Sequence, residues 1–150
     1  MESIKKAILL TILLLLPIIT YSKTNSLSDN LKSMFNEVVV KKNANLISDY
    51  YDKEFLLFTN GKQMDYLQFY SSHKKIYQTN IKYSIRFDEQ SFVEQGNKVA
   101  ARVFITTQKD NDSAKPIEVI LIAQYKKDKL YRLWEITYPD WSKMKSFKDM

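Results

Sequence analysis

The side chains able to do chemistry in this chain are few. One histidine, His73, and no cysteine occur in 150 residues, which removes disulfides, thiol nucleophiles and thiolate metal sites together. A zinc site would fall almost wholly to carboxylates, so no metal is expected. The chain has no glycine-rich phosphate loop, no Gly-x-Ser-x-Gly elbow and no His-Glu-x-x-His, and no cofactor is expected either. Asp110-Asn111-Asp112 opens like a calcium loop but lacks the central glycine and closing glutamate, and reads as a turn. Proton transfer is the chemistry that survives. Two residues are candidates for it, Glu135 and His73.

Glu135 lies in the most informative stretch, Lys129–Trp141, KLYRLWEITYPDW. Its alternation predicts a strand that Pro139 must end, because proline cannot donate to a sheet ladder. Leu130, Arg132, Trp134, Ile136 and Tyr138 fall on one face, and Tyr131, Leu133, Glu135 and Thr137 on the other. The facing strands are expected to bring Arg102, Phe104, Glu118 and Ile120 onto the face of Glu135, forming a concave, aromatic-lined surface. A carboxylate buried there requires a partner, and Arg102 is the candidate. Three roles stay open for the pair: a structural ion pair, a ligand-orienting pair, or a general base whose pKa burial raises. A nearby arginine opposes the last. The expected ligand-binding set is Arg102, Phe104, Glu118, Tyr131, Leu133 and Tyr70. His73 shares a predicted helix face with Tyr66, Phe69, Tyr70 and Tyr77, where it is either a hydrogen-bonded core residue or a pocket-lining acid or base.

Helices come first and position these strands. Apolar residues recur at helical spacing over Ser26–Lys42, more briefly over Asn43–Tyr51, and again over Asp65–Tyr77, which Asp65 can cap. A short apolar run, Phe55–Phe58, ends at the turn Asn60-Gly61. From Ile81 the pattern is β: Ile81–Phe87, Ser91–Glu94, Lys98–Thr107, Ile117–Tyr125 and the strand of Glu135, followed by a polar tail from Ser142. Helices and then antiparallel strands make an α+β domain. The long strands are apolar on both faces. One face takes the helices, and the other is expected to take a second copy of the sheet, giving a homodimer. The apolar surplus comprises Val99, Ala101, Val103, Val119, Leu121, Trp134 and Ile136.

Residues 1–22 read separately, as a signal peptide: Lys5-Lys6, an apolar run over Ala7–Ile19, then Thr20 and Ser22 before Lys23. The run is shorter than the roughly 20 residues that span a bilayer. An exported protein, periplasmic or extracellular, is expected, with an uncleaved N-terminal membrane anchor as the alternative. Membrane contact is expected only during export. The net charge of +6 is dispersed over lysine pairs rather than gathered on one element, and no nucleic-acid partner is expected.

The order of elements and the last strand carry a resemblance. Asp128-Lys129-Leu130-Tyr131-Arg132-Leu133-Trp134-Glu135 is similar to the closing strand of the SnoaL-like group within the nuclear-transport-factor-2-like superfamily. That group commonly reads Asp-Gly-Lys-Ile, two variable residues, then His-Trp-Asp; the loop glycine is absent here. The resemblance covers about residues 26–141 and places residues 23–150 in one domain. It implies a cone, in which a strongly curved, mostly antiparallel sheet wraps around the helices and leaves a pocket. It also implies that Glu135 stands at the acidic position of the cyclases, while Leu133 stands where they often carry histidine. Members include isomerases and cyclases with a carboxylate base, and also non-catalytic modules. The favoured expectation is an exported, non-catalytic module binding a small, partly apolar ligand. An isomerase, cyclase or dehydratase is the alternative, and a purely structural dimerisation domain the third. A ligand pocket of the expected kind needs about 300 Å³ or more.

Overall fold

The first element of the computed structural model, which describes residues 26–147, is a helix with two caps. The Ser26 hydroxyl accepts from the Asp29 amide at 3.0 Å. The Glu94 carboxylate accepts from the amides of Leu27 and Ser28 at 3.2 and 3.0 Å. These bonds satisfy donors that a helix start leaves unpaired. Helix α1 (Leu27–Met34) continues as a π-helical segment, Phe35–Val40, and together they bury Leu31, Met34, Phe35 and Val38. The leader expected over residues 1–22 lies outside the described residues.

A 3-10 turn, Ala44–Leu46, and the short α2 (Ile47–Tyr50) lead into β1 (Tyr51–Thr59). This strand is longer than the run Phe55–Phe58 suggested, because its start at Tyr51 pairs with Leu130. Asn60 and Gly61 both take positive φ, 47° and 79°, and turn the chain tightly into β2 (Lys62–Asp65). Asp65 and Gln68 form a reciprocal capping box at the start of α3 (Tyr66–Tyr77). The rest is β3 (Ile81–Phe87), β4 (Val93–Gln95), β5 (Lys98–Lys109), β6 (Lys115–Lys126) and β7 (Lys129–Tyr138).

The sheet order is β2-β1-β7-β6-β5-β3, with β4 beside β5. Only β1 and β7 pair in parallel. This is the α+β arrangement expected, a curled and unclosed sheet around helices. Its inner face buries Val99, Ala101 and Val103 of β5, Val119 and Leu121 of β6, and Leu133 of β7 against α1 and its neighbours.

Register overturns part of the sequence reading. Opposed residues of an antiparallel pair share a face, and Glu135 lies opposite Leu121, which lies opposite Ala101. Glu135 therefore belongs to the inner face. Arg102 lies opposite Ile120, and Ile120 opposite Ile136, so Arg102, Phe104, Glu118 and Ile120 belong to the outer face. Sequence alternation gave the two faces of β5 and of β6 correctly but not which face met which, and a one-residue slip inverts that answer. A bulge adds a second correction. Leu130 pairs with Tyr125 and Arg132 with Gln124, leaving Tyr131 as an extra residue. Leu130 and Leu133 both turn inward as a result, and Tyr131 does not join them.

The outer face leaves Ile120, Ile122, Trp134, Ile136 and Tyr138 exposed, with Phe58 stacked on Trp134 at 5.7 Å. The apolar surplus was thus mostly misassigned. Val99, Ala101, Val103, Val119 and Leu121 are core, and only Trp134 and Ile136 of that set are exposed. The tail also differs from expectation. It forms two 3-10 turns, Trp141–Lys143 and Lys145–Phe147, and buries Ser146 and Phe147.

Candidate functional site

Between α1, α3 and the inner face of the sheet lies a cavity of about 130 Å³. It is smaller than the pocket expected, and closer to the roughly 150 Å³ of an engineered void that admits one benzene. Its wall is mostly apolar and includes Met34, Phe35, Leu57 and Val119. Polar-bearing residues interrupt that wall, among them Glu135, His73, Tyr77 and Thr137.

Glu135 keeps some accessible surface, as a cavity-lining group must, but the protein packed around it is that of an interior site. Burial pushes its carboxyl from 4.5 up to about 7. The Thr59 hydroxyl, its register neighbour across the parallel pair, opposes the shift by offering the carboxylate a hydrogen bond. No lysine, arginine or histidine within the described residues forms an ion pair with it. The end of β7 is clamped by Asn60. Its side chain accepts from the Thr137 amide at 3.0 Å and donates to the Thr137 hydroxyl at 2.7 Å, and its own amide donates to the Glu135 carbonyl at 3.3 Å.

His73 enters from α3. Its Nδ1 lies 2.9 Å from the Phe69 carbonyl, which can only accept, so Nδ1 carries the proton. The ring packs at a tilt on Phe69, with centroids 3.9 Å apart, and meets the edge of Tyr77 at 5.5 Å. Burial pulls its pKa from 6.5 down to about 4, with the Phe69 hydrogen bond opposing. At neutral pH it is uncharged, with an unprotonated Nε2. His73 is a part-buried, hydrogen-bonded side chain that lines the cavity.

Tyr77, one helical turn on, is 8% exposed, and its hydroxyl has no hydrogen-bond partner. Burial raises the phenol far enough to keep it protonated at physiological pH. A buried donor with nothing to donate to is costly, and its position on a cavity wall gives it a potential partner in a guest. Sequence reasoning put Tyr77 on the helix face of His73 but did not single it out. The four-residue spacing was the signal available.

Of the expected ligand-binding residues only Leu133 lines the cavity. Arg102 pairs outside with Glu118 at 2.7 Å and with Asp88 at 3.4 Å. Phe104 lies under the guanidinium groups of Arg86 and Arg102, at 4.0 and 4.6 Å. Tyr131 carries Arg132 at 3.7 Å on its ring, and Tyr70 stacks on Tyr66 at 6.3 Å. The Arg102–Glu135 pair does not exist, because the two side chains lie on opposite faces of one sheet. No group of three or more metal-ligating side chains occurs among the described residues.

No protein-family model and no curated protein sequence matches this chain. Solved structures do match its fold. A LEH-like epoxide hydrolase of Mycobacterium tuberculosis superposes with a TM-score of 0.63 at 6% identity, over 75% of this chain and 84% of that one. A protein assigned as a SnoaL-like polyketide cyclase from Jannaschia gives 0.59 at 7% identity, over 74% and 84%. A nuclear-transport-factor-2-like protein of unknown function from Cytophaga hutchinsonii gives 0.57 at 15% identity, over 77% and 93%.

Proposed function

We propose that this chain, which has the nuclear-transport-factor-2-like fold in the form shared with SnoaL-like proteins, binds a small, largely apolar carbonyl compound. Glu135 moves a proton to or from the carbon beside that carbonyl. The single observation carrying this reading is the state of Glu135. A site built only to bind an apolar guest gains nothing from a buried, unpaired carboxyl, which costs stability. A carboxyl poised near neutral pH in a water-poor cavity is what a general base requires. With Arg102 on the far face, the objection that an arginine would hold the pKa down no longer applies.

Tyr77 and His73 have roles compatible with this. Tyr77 donates to the carbonyl oxygen and stabilises the negative charge that develops there as Glu135 takes the proton. His73, neutral and with Nδ1–H committed to Phe69, can accept a hydrogen bond but not hold a proton at pH 7. The apolar wall excludes charged compounds, and a cavity of about 130 Å³ sets the scale at a single ring. Incubating the protein with cyclohexanone in D2O tests the reading, with NMR following deuterium entry beside the carbonyl. Exchange faster than in buffer is expected. Binding of cyclohexanone without exchange would reduce the site to a binding pocket, the non-catalytic function first favoured.

The proposal extends to quaternary structure: a second copy covers the outer face through Ile120, Ile122, Trp134 and Ile136. Exposed apolar area concentrated on one sheet face supports this. Light scattering at micromolar concentration should give twice the chain mass, and Ile136→Glu should return it to one. A monomeric wild type would contradict the pairing.

A further inference from the structure

We propose that the C-terminal strap, Asp140–Phe147, is the lid of the cavity, and that Trp141 and Phe147 set the largest guest it admits. The proposal rests on the cavity being the ligand site, but not on any proton being moved there.

The strap leaves the sheet where β7 ends and lies at the end of the sheet that holds Glu135, Thr137 and Thr107. Trp141 and Phe147 both line the cavity, meeting edge to face at 5.8 Å. They belong to a segment that no strand holds. The base is tied, since Asp140 accepts from the Asn60 amide group at 3.1 Å. Beyond it, the bonds to the body of the protein among the described residues are three long ones. Trp141 N reaches the Thr137 hydroxyl, Trp141 Nε1 the Thr59 hydroxyl, and Lys62 Nζ the Ser142 hydroxyl, each at 3.4 Å. The other strap bonds among the described residues run within its own turns, as from Lys143 N to the Asp140 carbonyl and from Phe147 N to the Met144 carbonyl. Apolar side chains, not a backbone ladder, keep it down. Such a segment opens at a fraction of the global cost of unfolding.

The contact between Trp141 and Thr59 links the lid to the chemistry. Trp141 Nε1 donates to the Thr59 hydroxyl, and Thr59 is the register neighbour of Glu135 across the parallel pair of β1 and β7. With the lid shut, Trp141 covers the cavity that Glu135 lines and keeps water from the carboxylate. A guest larger than one ring cannot be enclosed unless Trp141 and Phe147 move outward.

The test is a pair of probes, phenol and 2-naphthol, titrated into full-length protein and followed by amide NMR. Wild type should bind phenol and bind 2-naphthol more weakly. Trp141→Ala should raise the affinity for 2-naphthol relative to that for phenol about ten-fold or more. Phe147→Ala should act in the same direction. If Trp141→Ala fails to fold, Trp141→Phe provides the smaller enlargement and the loss of the Thr59 contact. Hydrogen exchange gives a second reading: amides of residues 143–147 should exchange much faster than those of β5 and β6, and slow when phenol is bound. Unchanged selectivity between the probes in a folded variant, or strap amides as protected as the sheet, would overturn the proposal. Neither result depends on proton transfer by Glu135, so a failed deuterium-exchange assay with cyclohexanone is a separate outcome.

Discussion

Glutamine in place of Glu135 is expected to slow deuterium exchange into cyclohexanone by about 10²–10⁴, the usual contribution of a positioned general base. Glutamine has nearly the same volume and cannot take a proton, so binding of the ketone should change little. It also removes a costly group. Wild-type Glu135 is buried without a cation, and the neutral amide avoids the desolvation that pushes the carboxyl up to about 7. The variant should therefore be at least as stable as wild type at pH 8 while losing the exchange. Loss of activity with gain of stability separates a functional carboxyl from a structural one. Equal exchange in wild type and variant would remove Glu135 from the mechanism.

The second expected result concerns stability against pH, where Glu135 and His73 oppose each other. Glu135 binds its proton more tightly in the folded protein, about 7 against 4.5. Between those values the native state holds more protons than the unfolded one, so this contribution falls as pH rises. His73 binds its proton less tightly when folded, about 4 against 6.5. There the unfolded state holds more protons, so that contribution rises with pH. The windows overlap from about pH 4.5 to 6.5, and the two slopes nearly cancel. Each shift corresponds to at most about 3 kcal/mol.

In urea unfolding, the stability of Glu135→Gln relative to wild type should climb with pH across that window, because the falling Glu135 contribution has been removed. The stability of His73→Gln relative to wild type should decline, because the rising His73 contribution has been removed. Each variant is read as its difference from wild type, which removes groups common to both, such as Glu94 and Asp140, whose hydrogen bonds hold them low. Parallel profiles for wild type and both variants would mean that neither group is buried as described.

The fold was legible where a local pattern determines it. Asp65 capping α3, Asn60-Gly61 closing a hairpin and the alternation of β5 to β7 are decided by neighbouring residues. The resemblance carried by Asp128–Glu135 gave the cone. Glu135 and His73 were legible because a lone histidine and a charged residue in an apolar strand stand out by type. Arg102 was misplaced because facing strands carry no mark of which face meets which; Glu135 opposite Leu121 is a fact of register. Tyr131 was misplaced because one extra residue beside Gln124 and Tyr125 changes the alternation. The strap was missed because its apolar residues, Trp141, Met144 and Phe147, are too sparse among lysines and serines to show a period.

The most direct test of the account is the titration of Glu135 itself, followed through its side-chain carboxyl carbon by NMR and assigned by its absence in Glu135→Gln. A midpoint near 7 is expected, falling when Trp141→Ala lets water reach the cavity. A midpoint at or below 4.5 in the wild type would contradict the buried, unpaired carboxyl, and with it the proposed proton transfer.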